Sequence, residues 1–204
     1  MTPFLASTVA SVELLFAVLA VVAQVALAGL LAVTVSALLG SKAAYSTLAR
    51  MRDELGPQAL GVAWLAAVLA TFGSLWFSLS AGFTPCLLCW YQRTMMYPLV
   101  LVAGVGALTR DVRAWRYVLP PALLGTAISI YHYQLEWFPD QHGSCDPTNP
   151  CTLIWFREFG YITMPLLALT AFAVIIAMSL IARAYEQAVT AASADPGNEG
   201  HDHG

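Results

Sequence analysis

Charge is scarce in this sequence: charged residues make up 10% of 204, lysine occurs once, and Lys plus Arg number nine against twelve Asp plus Glu. Soluble domains carry about 25% charge, so an ordinary water-facing surface cannot be built from this chain. The shortage of cations also removes the basic face that nucleic-acid binding requires. Repeats of solenoid period are absent. Apolar residues are in excess, at 59%, which leaves lipid, small molecules and other proteins as partners.

Stretches without Asp, Glu, Lys or Arg run over 14–41, 55–92, 94–109, 117–135 and 159–182. A helix needs roughly 20 residues to cross about 30 Å of hydrocarbon. The second stretch, 38 residues, is too long for one span and divides at Ser80 to Pro85, where turn and helix-start signals cluster. Five membrane helices are therefore expected near 14–39, 59–79, 87–108, 118–136 and 160–183. The first lacks a preceding cation and is too long for a cleaved signal segment. The polar tail, 184–204, is expected to be disordered and cytoplasmic, with His201 and His203 as solvated residues.

Positive charge gives the orientation, because cytoplasmic loops are enriched in Lys and Arg. Lys42, Arg50 and Arg52 follow the first span, Arg110, Arg113 and Arg116 follow the third, and Arg183 ends the fifth. In a five-span chain all three groups share one side, expected to be the cytoplasm. The N-terminus, the 80–86 turn and the 137–159 loop are then outside. Trp76, Phe83, Trp90, Trp137 and Trp155 fall near that outer boundary and read first as interfacial anchors.

Cysteine is missing from the loops expected on the cytoplasmic side. All four are on the expected outer side: Cys86 and Cys89 open the third span, and Cys145 and Cys151 lie in the outer loop. Disulfides persist outside the cytoplasm, so the partition suits two disulfide pairs. As staples they would serve differently, because a bond across two residues constrains little chain. A Cys-x-x-Cys at a helix start suits redox work instead, since the helix N-terminus favours the attacking thiolate. Zinc is the other use of four cysteines, but the Cys-x5-Cys spacing is uncommon among its ligands, and no metal site is expected.

Arg93 lies one turn beyond Cys89 on the same helix face, about 6 Å deeper. Two readings stand. The side chain snorkels to outer headgroups, or it is a fixed cation that stabilises a Cys89 thiolate and charge developing on a membrane-borne electron acceptor. A thiol pair over a buried cation, in contact with lipid, points to a quinone.

Pro-Cys-Leu-Leu-Cys-Trp-Tyr-Gln-Arg at 85–93, Tyr-His-Tyr-Gln-Leu-Glu at 131–136, the second cysteine pair and Met164-Pro165 together resemble the DsbB family of quinone-linked disulfide oxidases. The short loop between Cys145 and Cys151 is similar to its BdbC-type branch. Vitamin K epoxide reductase relatives carry their loop pair first and their Cys-x-x-Cys later, the reverse of the order here. The resemblance implies an all-α membrane protein with a four-helix redox domain over 59–183, preceded by an extra transmembrane helix and cytoplasmic loop over 1–58. It implies electron input at Cys145 from an extracytoplasmic, thioredoxin-fold DsbA-like partner, transfer from Cys151 to Cys86, and delivery from Cys89 to ubiquinone or menaquinone beside Arg93. His132 corresponds to a family histidine near the quinone; as a bare residue it reads equally as a hydrogen-bonded interfacial histidine. The protein is thus expected in the bacterial cytoplasmic membrane. Two departures accompany the resemblance: the additional first span, which puts the N-terminus outside, and the absence of the long amphipathic loop insert, whose membrane contact Leu153 to Phe156 could supply.

Two other function classes compete with this one. A metal or small-solute carrier would use the cysteines as ligands and needs acids or histidines clustered within the spans, where only Glu13, Arg93 and His132 come near. A non-catalytic assembly protein held by two disulfides leaves Arg93 and the Cys-x-x-Cys spacing unused.

Overall fold

The structure is a computed structural model that describes residues 3–141, 145–146 and 148–194. Its helices are α1 Pro3–Leu38, α2 Lys42–Leu55, α3 Ala59–Leu79, α4 Leu87–Thr109, α5 Trp115–Trp137 and α6 Met164–Ser193. Their boundaries follow local chemistry. Ser41 caps α2 by accepting the Ala44 N–H at 3.3 Å, and Cys86 holds the same position on α4, its sulfur accepting from Cys89 N–H at 3.3 Å. Arg110 ends α4 in the left-handed region, with φ 54°. Pro165 occupies the first turn of α6, where its missing N–H costs nothing.

Three boundaries differ from expectation. The supposed loop over 40–58 is largely α2, an exposed amphipathic helix of good helix formers that buries none of its residues. Its charges resemble those of a loop, which hid it. Helix α1 begins at Pro3 and carries Glu13 within it. Helix α6 continues to Ser193, so 184–193 is helical and not disordered: alanine recurs at 184, 188, 191 and 192, and alanine has the highest helix propensity. The tail from 195, with His201 and His203, lies outside the described residues.

Helices α3 to α6 pack as a ring, α3 on α4, α4 on α5, α5 on α6 and α6 on α3. Small residues let them approach. Ala59, Ala63 and Ala67 of α3 face Leu99 and Ala103 of α4, Val118 and Ala122 of α5, and Phe172 and Ile175 of α6 in one core. The Phe172 ring lies over Gly125, where an added Cβ would be 2.2 Å from its Cζ. The outer surface is equally apolar: Leu101 is 72% exposed and Leu108 86%. A bundle apolar inside and out is built for lipid.

Three helical stretches, Ser7–Leu38, Lys42–Leu79 and Met164–Ser193, are long and apolar enough to cross a membrane. Helices α4 and α5 have 23 residues each, about 34 Å at 1.5 Å per residue, but they carry Gln92 and Arg93, and His132, Gln134 and Glu136. These polar residues lower their hydropathy.

Helix α1 packs on α6 and α2. The Phe16 ring rests where a Cβ on Gly73 would be, 2.7 Å from that position, and its centroid is 5.7 Å from that of Phe77. Gln24 donates to Thr170 Oγ1 at 3.0 Å and accepts from Tyr161 Oη at 3.0 Å. A tilted aromatic contact and two hydrogen bonds at Gln24 thus dock α1 in one register.

Candidate redox site

All four cysteines belong to one cluster. Cys86, Leu88, Leu135 and Cys151 are buried together, with Cys89, Cys145 and Ile128 packed against them. Cys145 and Cys151 are joined by a disulfide, while Cys86 and Cys89 are free thiols with their sulfurs 3.0 Å apart. The loop is held to the helix start by Asn149, whose Nδ2 donates to the Pro85 carbonyl at 3.0 Å. One pair is oxidised, the other reduced, and both lie at the same end of the bundle.

The Cys86 thiol is held well below the ordinary thiol range. The hydrogen bond from Cys89 is the main cause; burial works against it, and the His132 ring reinforces it. His132 Nε2 lies 3.6 Å from Cys86 Sγ and 3.2 Å from the Cys151 carbonyl oxygen. A carbonyl only accepts, so this nitrogen carries the hydrogen. His132 therefore bridges the inner pair to the outer one.

Arg93 turns sideways to α3. Its Nε donates to Ser74 Oγ at 2.9 Å, and Nη2 donates to the Ser74 carbonyl at 3.0 Å and to Ser78 Oγ. The guanidinium also lies 5.3 Å from the Trp90 ring centroid. Among the described residues no carboxylate pairs with it. Its hydrogen bonds thus hold it between α3 and α4 with no acid beside it.

Cys89 and Arg93 line one cavity of about 360 Å³ between α1, α3, α4 and α6. Its walls are mostly apolar; Gln92, Arg93, Tyr97 and Ser74 supply polar atoms, and α1 contributes Phe16, Leu19, Ala20 and Ala23. Phe83 and Trp155, expected as interfacial anchors, line it too and stack with centroids 4.8 Å apart. Phe156 is buried against Phe77, so of the 153–156 segment Leu153 is the more exposed. Neither Cys86 nor His132 lines the cavity. His132 faces the cysteines.

Cys86, Cys89 and His132 present donor atoms within 4.8 Å of one another. Tetrahedral zinc with Zn–S of about 2.3 Å separates two thiolates by about 3.8 Å, and the observed 3.0 Å is too short. The spacing suits a thiol pair near closure.

Sequence reasoning missed the serines that hold Arg93, the α1 wall of the cavity, and Glu136, which is buried one turn after His132. The i, i+4 spacing from Arg93 back to Cys89 is visible in sequence; cross-helix partners such as Ser74 are not.

Comparison with known proteins gives the family. Residues 57–182 match the family model for disulfide bond formation protein DsbB. The chain is 46% identical over 119 residues to disulfide bond formation protein C of Bacillus subtilis, covering 57% of this chain and 86% of that one. It is 42% identical over 132 residues to probable disulfide formation protein C 1 of Bacillus cereus, covering 64% and 95%. Probable disulfide formation protein of Coxiella burnetii is 41% identical over 112 residues, covering 53% and 76%. No solved structure matches. The matched family segment begins after α2 and closes within α6, taking in the four-helix ring and all four cysteines. With its thiols and disulfide gathered at one end of a helical membrane bundle, the chain belongs to the DsbB family of disulfide bond formation proteins.

Proposed function

We propose that this thiol-disulfide oxidoreductase reoxidises an extracytoplasmic, thioredoxin-fold thiol oxidase of the DsbA type and passes the electrons to membrane quinone. One observation carries the reading: Cys89 opens on the cavity shared with Arg93, whereas Cys86 is turned to His132 and the outer pair. The inner pair thereby faces two ways, toward an aqueous donor and toward an apolar acceptor.

The path follows thiol exchange chemistry. A partner thiolate attacks Cys145, and the electron pair leaves on Cys151. That thiolate attacks Cys86 in the oxidised inner pair, and Cys89 is released as a thiolate at the cavity. The partner's second thiolate resolves the mixed disulfide, leaving the partner oxidised and Cys145 as a thiolate, which attacks Cys151 and releases Cys86. The cavity fits a quinone, an apolar ring with two carbonyl acceptors, because its walls are apolar while Arg93 offers donors. Quinone supplies a two-electron, two-proton sink. The chain's own contribution is to keep Arg93 charged and oriented through Ser74 and Ser78, and to hold water back with Phe83 and Trp155.

The orientation is read from charge. Arg113 and Arg116 gather on Glu186, with Arg183 over Trp115, at the end of α5 opposite His132. By the positive-inside rule that end is cytoplasmic and the cysteines are outside. The extra helix α1 then begins outside as well.

Trapping tests the donor side. In Cys151→Ser the resolving thiol is gone, so a reduced partner should accumulate as a mixed disulfide through Cys145, seen on non-reducing electrophoresis. Trapping in Cys145→Ser alone would reverse the order of the outer pair.

A further inference from the structure

Glu136 is a buried acid that this electron path does not use. It is 7% exposed and lies one turn after His132, itself 2% exposed, so both residues are on one face of α5. Glu136 Oε2, His132 Nδ1 and Thr163 Oγ1 have no hydrogen-bond partner among the described residues. The carboxyl faces the Thr163 hydroxyl, and His132, Arg157 and Cys86 are the charged or titratable groups that act on it. An acid so placed in an apolar bundle is costly, and such acids mark function.

The second nitrogen of His132 gives Glu136 its use. Nε2–H is already committed to the Cys151 carbonyl and Cys86 sulfur. Any further proton on the ring enters at Nδ1, which is buried, and the resulting cation needs a counter-charge. Arg157 is stacked 4.7 Å from the Trp137 centroid and cannot supply one. Glu136 can.

We infer that Glu136 is a positioning residue for the exchange between the cysteine pairs, its carboxylate supporting a cationic His132 that receives Cys86 as a thiolate. The inference rests on the path proposed above. In the step concerned, the Cys145 thiolate attacks Cys151 Sγ of the Cys86–Cys151 disulfide. The Cys145–Cys151 bond forms, the Cys86–Cys151 bond breaks, and the electron pair leaves on Cys86 Sγ. No proton moves; His132 Nε2–H donates to the sulfur as charge arrives there. The carbonyl of Cys151 keeps that N–H aimed between the two reacting sulfurs.

The test uses the full chain carrying Cys145→Ala and Cys151→Ala, with the inner pair reduced and neither partner nor quinone present. The rate of Cys86 alkylation by iodoacetamide is followed against pH, with the modified sulfur located by mass spectrometry. Glu136→Gln should raise the midpoint by about one pH unit, and Glu136→Asp should restore most of it. His132→Asn should also raise it, and adding Glu136→Gln to that variant should raise it no further, because Glu136 acts through the ring. An unchanged midpoint in Glu136→Gln, or an equal increment with and without His132, overturns the inference. So does unfolding of both Glu136 variants, which would make the acid structural. Since the assay contains no quinone, this outcome is independent of whether quinone is the acceptor.

Discussion

Arg93 is held by serines instead of an acid, so its charge stays available to whatever occupies the cavity beside it. Arg93→Lys should keep part of the quinone-reducing rate, although a compact ammonium cannot reproduce the planar fork. Arg93→Gln should lose about 2.7 to 4 kcal/mol of transition-state stabilisation, on the order of a hundredfold or more in rate, while mixed disulfide formation at Cys145 continues. Normal turnover with an unchanged KM in the glutamine variant would reduce Arg93 to an anchor. Cys86 gives a second prediction. Its folded pKa is depressed, chiefly by the Cys89 hydrogen bond, below an unfolded value of about 8.5. The resulting stabilisation is full above that value and is lost as pH falls through the folded one. The melting temperature of the reduced protein, measured against the oxidised form, should therefore fall on acidification from about pH 8 toward about pH 5; a constant difference would contradict it. Cys86, Cys89 and Arg93 were legible because their spacing follows one helix. Glu136 was not, because its meaning depends on burial beside His132 and on orphaned atoms that only packing creates.

Among the elements, the four bundle helices were legible from charge-free runs, since membrane spans advertise themselves by length. Helix α2 was not: its amphipathic pattern over 42–55 has the charge density of a loop, and only the Ser41 cap announces it. The end of α6 was missed for a related reason, as helix continues past Arg183 after the apolar run stops. Docking between elements depends on small residues, and Gly125 is the tightest case. Its Cβ would overlap the Phe172 ring, so Gly125→Ala should push α5 from α6 and cost about 1 to 3 kcal/mol. Thermal unfolding in detergent checks this; an unaltered transition would mean that the two helices have slack. The same variant should slow thiol exchange, because α5 carries His132 to the cysteines.

Across the whole molecule, the two ends of the bundle differ in character. One end gathers Arg113, Arg116 and Glu186; the other gathers four cysteines and opens sideways into an apolar cavity partly walled by α1. The matched family segment starts after α1, so this wall is an addition to the shared bundle, and sequence reading placed it as a span without foreseeing its contact with the site. The central claim is that the inner pair alone reduces an acceptor held in that cavity. It is tested most directly with the Cys145→Ala, Cys151→Ala protein, reduced and freed of reductant, then mixed with quinone in a single turnover. The account predicts one quinol formed for each Cys86–Cys89 disulfide closed, and none when Cys89 is also replaced by serine. Closure of the disulfide with no quinol, or quinol formation that persists without Cys89, would contradict it.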